Sequence, residues 1–325
     1  MQEQKKTTGL GIFFLLLTAV VWGFAFVAQT VGSDHVGAFL FNGIRFALGG
    51  LSLLPVIALF EKKNPDPASH KQLMRTTVIA GIVCGILLCS ASTLQQYGIE
   101  LFQRAGFPDS SGRAGFLTAL YMVLVPLFNL AFGKKAGLFT WIGVGFAAIG
   151  LFLVSVSSAF TIAPQDLVVL GCAVLFAAHI LVIDRFGDAL YSLRFSMIQF
   201  LVCTVLSLAA WGITVAAGIH TPESLADLKA AIVPLLYGGF MSVGVAYTCQ
   251  VLGQKRADPA VASVILSMES MFSVIGGALI LHERMTARGY IGCVLIFLGV
   301  LCTQMKFRHK PPPPHTTKKT KHTKK

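Results

Sequence analysis

WIGVGFAAIG at 141–150 and YIGCVLIFLG at 290–299 are one phrase written twice. Trp141-Ile142-Gly143 answers Tyr290-Ile291-Gly292, and Gly150 answers Gly299, at an offset of about 149 residues. The same offset carries Arg45-Phe46 onto Arg194-Phe195. Working outward from these two phrases, the chain divides into ten apolar stretches: 9–31, 37–60, 73–96, 112–132 and 138–156, then 165–183, 192–217, 229–252, 259–281 and 286–305. A spanning helix needs roughly 20 apolar residues. Five is odd, so the second set must cross a membrane in the sense opposite to the first. An inverted repeat is the mark of secondary transporters, whose site lies between the halves near the bilayer midplane.

Composition agrees. The chain is 55% hydrophobic and 12% charged, whereas a soluble domain carries about 25% charged residues. The expected fold class is all-α integral membrane, with ten transmembrane helices as two inverted five-helix repeats. The expected division is 1–8 as an N-terminus, 9–156 and 157–305 as the repeats, and 306–325 as a disordered basic tail. The first apolar stretch is too long for a signal-peptide core and is expected to be retained. All seven cysteines fall inside apolar stretches without metal spacing, and read as small buried hydrophobes.

Charge sets the expected orientation. With the N-terminus inside, the inner segments hold Lys5, Lys6, Lys62, Lys63, Lys71, Arg75, Lys134, Lys135, Arg185, Arg194, Lys255, Arg256 and the bases of the tail, 20 of the 26 Lys and Arg. The outer segments hold Arg104, Arg113, Lys229, Arg284 and Arg288. This bias places both termini in the cytoplasm of a cell-membrane protein. The tail, KFRHKPPPPHTTKKTKHTKK, supplies +8 of the net +12. It suits anionic lipid head groups. Nucleic-acid binding is not expected, because no aromatic residues are interleaved with the bases after Phe307.

Two charges lie against expectation. Glu269 is the only acid deep in a span, and Arg45 the only base. A charge at a helix centre costs about 2.5–3.5 kcal/mol on insertion scales, so such residues are functional candidates. The face of Glu269 carries Ala262, Ser273 and Gly276; that of Arg45 carries Ala38, Asn42, Gly49 and Ser52. Both faces point inward. Trp22, Asn42, Gln95, Tyr121, His179, Tyr247 and Gln250 complete the candidate substrate-binding or coupling set. Each taken alone reads as readily as a helix–helix hydrogen bond or an interfacial anchor. Pro126 is the candidate kink in the fourth span.

These residues carry a resemblance. The WGFAF segment within 21–26, the Arg-Phe of the second span, GRAGFLTALYMVLVP at 112–126, AYTCQVLGQKRADPAVASVILSMES at 246–270 and Leu281-His282-Glu283 resemble the EamA-type branch of the drug/metabolite transporter superfamily. The resemblance covers residues 10–305. It implies ten helices in inverted five-helix repeats and the movement of small metabolites, amino acids and related compounds among them. One departure stands out: the family often has Glu-Pro in the ninth span, and this chain has Glu269-Ser270. The second half is therefore expected to lack a kink matching Pro126.

The expected function is secondary transport of a small polar or amphipathic solute by alternating access, with export favoured. There is no GxxxxGK[ST] loop and no room for a nucleotide-binding domain, so no cofactor or metal is expected. A small-molecule substrate and the bilayer are the expected partners, with protons as a candidate coupling ion and a homodimer as a candidate assembly. The alternatives are a carrier of phosphorylated or nucleotide-linked sugars, which would need more intramembrane cations than Arg45, and a membrane-embedded enzyme, which would need paired carboxylates or a metal cluster.

Overall fold

A computed structural model describes residues 7–60, 67–107, 110–133, 136–155, 163–281 and 287–305. The charges counted at Lys5, Lys6, Lys62, Lys63, Lys134, Lys135 and Arg284, the His282-Glu283 pair and the basic tail lie outside the described residues. Among the described residues every regular element is helical. The first five helices are α1 (Gly9–Ser33), α2 (Ala38–Phe60), α3 (Pro67–Arg104), α4 (Ser110–Ala131) and α5 (Leu138–Ser155). The second five are α6 (Pro164–Phe186), α7 (Ser192–Ala216), α8 (Ile232–Gln254), α9 (Pro259–Ile280) and α10 (Ala287–Gln304). Eight are long and apolar enough to cross a membrane; α5 and α10 contain shorter apolar stretches, Leu138–Leu153 and Tyr290–Thr303.

Local chemistry sets the ends. The Thr8 hydroxyl accepts from Gly11 N–H at 3.2 Å and starts α1, and Asp258 caps α9 ahead of Pro259. α3 runs well past the expected 73–96, to 38 residues. Nothing in its polar end breaks a helix until Gly106, whose φ of 75° lets the chain turn away. The eighth stretch is divided: a short capped helix, Leu225–Ala230, precedes α8.

The packing has approximate twofold symmetry. α2 packs on α7 and α5 on α10, each pair made of corresponding helices. α3 packs on α6 as α8 packs on α1, and α4 on α6 as α9 on α1. The repeated phrases lie at the α5–α10 contact. A Cβ on Gly143 would sit 2.6 Å from the Gly299 carbonyl, and one on Gly150 2.6 Å from the Gly292 carbonyl. Gly143 meets Gly299 while Gly150 meets Gly292, so the two helices run antiparallel. The repeats are inverted, and these glycines let the two backbones touch.

Both α4 and α9 are interrupted at mid-length. α4 stops at Ala119 and resumes at Tyr121, with tightened bonds from Leu120 N–H to the Leu117 carbonyl (3.3 Å) and from Val123 N–H to the Leu120 carbonyl (3.0 Å). α9 stops at Leu266 and resumes at Glu269, with Met268 N–H on the Ile265 carbonyl at 3.2 Å. The expectation that the second half lacks a matching kink is corrected. Serines line that stretch: Ser263, Ser267, Ser270 and Ser273 each donate to the carbonyl three residues back, at 2.9, 2.7, 3.1 and 2.8 Å. Such bonds compete with the helical ladder and bend it. In α4 the interruption falls at Leu120, more than a turn before Pro126.

Candidate functional site

For reference, the face at which α1 begins is the near face and the face at which it ends is the far face. A small cavity, with room for about 20 Å³ of water-sized spheres, lies between the middle of the bundle and the far face. Helices from both repeats wall it: Trp22, Phe26 and Gln29 from α1, Arg45 from α2, Gln95 from α3, Thr118 and Tyr121 from α4, Phe176 from α6, Ser242 and Tyr247 from α8, and Glu269 from α9. The interruptions of α4 and α9 place Thr118, Tyr121 and Glu269 on it. This is the arrangement by which discontinuous helices in inverted repeats build solute sites.

Arg45 is 2% exposed. Its Nε donates to Asn42 Oδ1 at 2.8 Å, and its guanidinium lies 5.6 Å from the Phe41 ring centroid and 5.2 Å from that of Phe46. Nη2 has no hydrogen-bond partner. Arg45 is thus held by one amide and two rings, with one end of its fork uncommitted. Glu269 is 3% exposed, and its Oε1 is without a partner. The Tyr121 hydroxyl is beside the Glu269 carboxyl. Both ionisable side chains line one cavity, yet no ion pair joins them. A buried charge without a partner is costly, and the cost falls when a complementary group enters.

The remaining wall is largely aromatic. Trp22 Nε1 donates to the Ser242 carbonyl at 3.2 Å, and the Thr18 hydroxyl to the Ala246 carbonyl at 3.0 Å. Those acceptors lie in Tyr237–Tyr247, a π-helical stretch of α8, a geometry frequent at functional sites. Tyr247 is the hub: its ring lies 4.6 Å from Trp22 and 6.0 Å from both Phe46 and Phe200, centroid to centroid. Gln95 donates to the Thr118 hydroxyl at 3.2 Å. Gly23 lets α9 approach: a Cβ there would sit 2.8 Å from the Glu269 carbonyl.

Of the sequence candidates, Trp22, Arg45, Gln95, Tyr121, Tyr247 and Glu269 meet at the cavity. Asn42 stands behind it and holds Arg45. His179 and Gln250 lie off the cavity toward the near face, and Pro126 is not on its lining. Gln29, Phe26, Phe176 and Ser242 were not singled out. Gln29 was within reach, being seven residues from Trp22 and so on its face.

The far face carries ties between the repeats. Arg113 of α4 grips Asp166 of α6 through two bonds, Nε to Oδ1 at 2.7 Å and Nη2 to Oδ2 at 2.6 Å. Glu223, in the segment after α7, accepts from Gly37 N–H at 3.0 Å and from Trp211 Nε1 at 2.9 Å, and pairs with His220 at 3.0 Å. Burial works against ionising Glu223, but its bonds from His220, Trp211 and Gly37 outweigh that and hold the carboxyl below its ordinary value of 4.5. The near face is tied as well: Lys255 Nζ donates to the Leu190 carbonyl (3.0 Å) and Ser192 Oγ (2.8 Å), and Tyr191 N–H to Thr77 Oγ1 (3.1 Å).

The chain is similar to known proteins along most of its length. The model of the EamA-like transporter family matches residues 9–156 and again 164–305. A protein of Archaeoglobus fulgidus named "Uncharacterized transporter" is 26% identical over 293 residues, covering 90% of this chain and 85% of its own. The "Uncharacterized transporter YoaV" of Bacillus subtilis is 19% identical over 304 residues, covering 91% and 97%. A solved crystal structure superposes with a TM-score of 0.70 at 18% identity over 91% of this chain and 98% of that one, a likeness of fold. Two family matches, one on each five-helix repeat, show that this multi-pass membrane protein belongs to the EamA-like transporter family.

Proposed function

We propose that the chain moves a small zwitterion, an amino acid or a related amphipathic solute, between the two faces by alternating access, with export favoured. The observation that carries this reading is the pair Arg45 and Glu269: a base and an acid, both buried, both with an unused atom, in one cavity and not paired with each other. A solute carboxylate suits the open end of the Arg45 fork, since guanidinium binds carboxylate in two-point geometry. A solute ammonium suits Glu269. The aromatic wall suits an apolar side chain between the poles. The carboxylate in the cavity argues against phosphorylated sugars, which would bring more negative charge toward it. Glu269 beside Tyr121 is also the group placed to carry a coupling proton.

In this reading the repeats rock about the cavity. Opening the far face parts Arg113 from Asp166 and Glu223 from Gly37; opening the near face parts Tyr191 from Thr77. Each of these ties joins a residue of one repeat to a residue of the other.

The test is counterflow of labelled amino acids into proteoliposomes loaded with the same compound. Wild type is expected to exchange at least one zwitterionic solute. Glu269→Gln and Arg45→Leu are each expected to lower exchange per folded molecule by tenfold or more, on the order of 1.4 kcal/mol or beyond. Thermal stability of Glu269→Gln is expected to hold or rise, because a costly buried charge is gone. Normal exchange per folded molecule in Glu269→Gln, with a lowered melting temperature, would make Glu269 structural and sink the two-pole reading.

A further inference from the structure

Toward the near face from the cavity, three helices of the second repeat turn buried polar groups toward one another, and the zwitterion site does not use them. His179 of α6 pairs through Nε2 with Gln199 Oε1 of α7 at 2.9 Å, and its ring stands edge-on to Tyr247, the cavity's hub, at 6.4 Å and 88°. Gln250 is three residues along α8 from Tyr247 and four before Gln254. It therefore lies on the α8 face that meets α6 at both ends, since Gln254 Nε2 donates to the Ile180 carbonyl at 3.2 Å. Ser196 is one turn from Gln199 on α7.

All five side chains are 0–1% exposed. Each nevertheless leaves one polar atom without a partner: His179 Nδ1, Gln199 Nε2, Gln250 Oε1, Gln254 Oε1 and Ser196 Oγ. Orphaned buried polar atoms are normally rare, because each loses its water and gains nothing. In a bundle set in lipid there is no solvent behind them to relieve the loss. Leucine or phenylalanine would fill the same space without that cost. Five such atoms on three facing helices, adjoining the solute cavity through Tyr247, form a polar track that is shut in this conformation.

We infer that His179, Gln199 and Gln250 form the near-face leg of the permeation path, a polar station that takes up water and the hydrogen-bonding ends of the solute when the cavity opens toward that face. The orphan atoms are the path's lining, dehydrated by closure. The bond from Tyr191 N–H to Thr77 Oγ1 joins the two repeats at the same near face. The inference rests on the cavity being the solute site, but one arm of its test needs no solute.

That arm is thiol labelling. Gln250→Cys, made in the full chain with the seven native cysteines replaced by alanine or serine, is exposed to a membrane-impermeant methanethiosulfonate reagent. Labelling is expected from the near face and not from the far face. Absence of labelling from the near face would overturn the station, whatever the solute. The second arm compares wild type with the Gln199→Leu and Gln250→Leu double variant. Counterflow per folded molecule is expected to fall tenfold or more, while far-side solute affinity is unchanged and the melting temperature is equal or higher. A purely structural network, or one merely filled by resident water, predicts unchanged counterflow, and that result would overturn the inference. Failure of the zwitterion reading shows separately, as loss of solute binding to the wild-type cavity with labelling intact.

Discussion

Single residues here act through what they leave unsatisfied or what they hold. Arg45 is too deep and too tightly packed between Phe41 and Phe46 to reach water, and Asn42 fixes its orientation. At the far face Glu223 does the opposite work, committing both oxygens to Gly37, Trp211 and His220. Its folded-state value is lowered, so the stability it contributes is present above the ordinary glutamate range and is lost as pH falls through the lowered value. Glu223→Gln is expected to lose on the order of 1 kcal/mol at neutral pH, the worth of an ordinary hydrogen bond. It should also flatten the fall in melting temperature below the ordinary glutamate value of 4.5. Thermal unfolding in detergent across that range, wild type against variant, measures both. Parallel curves would show that Glu223 takes no part in the acid transition.

Among elements, the contrast between α5–α10 and the cavity helices is informative. α5 and α10 meet backbone to backbone through Gly143, Gly150, Gly292 and Gly299 and contribute nothing to the cavity lining. Gly150→Leu would thrust a side chain at the Gly292 carbonyl and Ile296. The expected cost is about 1–3 kcal/mol, typical of overpacking, seen as a lower melting temperature with counterflow per folded molecule retained. Loss of counterflow at unchanged stability would assign this pair a part in the motion. α4 and α9 carry the other lesson. The sequence marks Pro126 and the Glu269-Ser270 departure, and suggests a kink in one half only. The serine bonds along α9 supply the second interruption, and both fall where Tyr121 and Glu269 reach the cavity. Serine is poorly legible as a helix breaker, because whether its hydroxyl turns back on its own helix depends on what else it can reach.

At the level of the whole molecule, the excess of Lys and Arg on the near-face segments predicts both termini in the cytoplasm. Single cysteines at Lys5 and Lys319 are expected to resist an impermeant thiol reagent outside intact cells and to react after permeabilisation. Labelling of either one from outside would reverse the assignment, and with it the face to which the His179 station opens.

Length, periodicity and the repeated Trp/Tyr-Ile-Gly phrase were enough to determine a ten-helix bundle of inverted repeats. Lipid allows a chain this apolar little choice but helices, and an odd repeat must invert. The unusual burial of Arg45 and Glu269 was legible for the same reason, since charge in an apolar run is conspicuous one residue at a time. Only the tertiary structure decided that these two share a cavity without pairing, that Asn42 supports Arg45 instead of lining the cavity, and that His179 and Gln250 lie off its lining. Those facts depend on how helices far apart in sequence are rotated against one another. Rotation is set by close packing at contacts such as Gly23 against Phe272 and Gly85 against Val202, where each helix's small residues acquire meaning only from the partner's large ones.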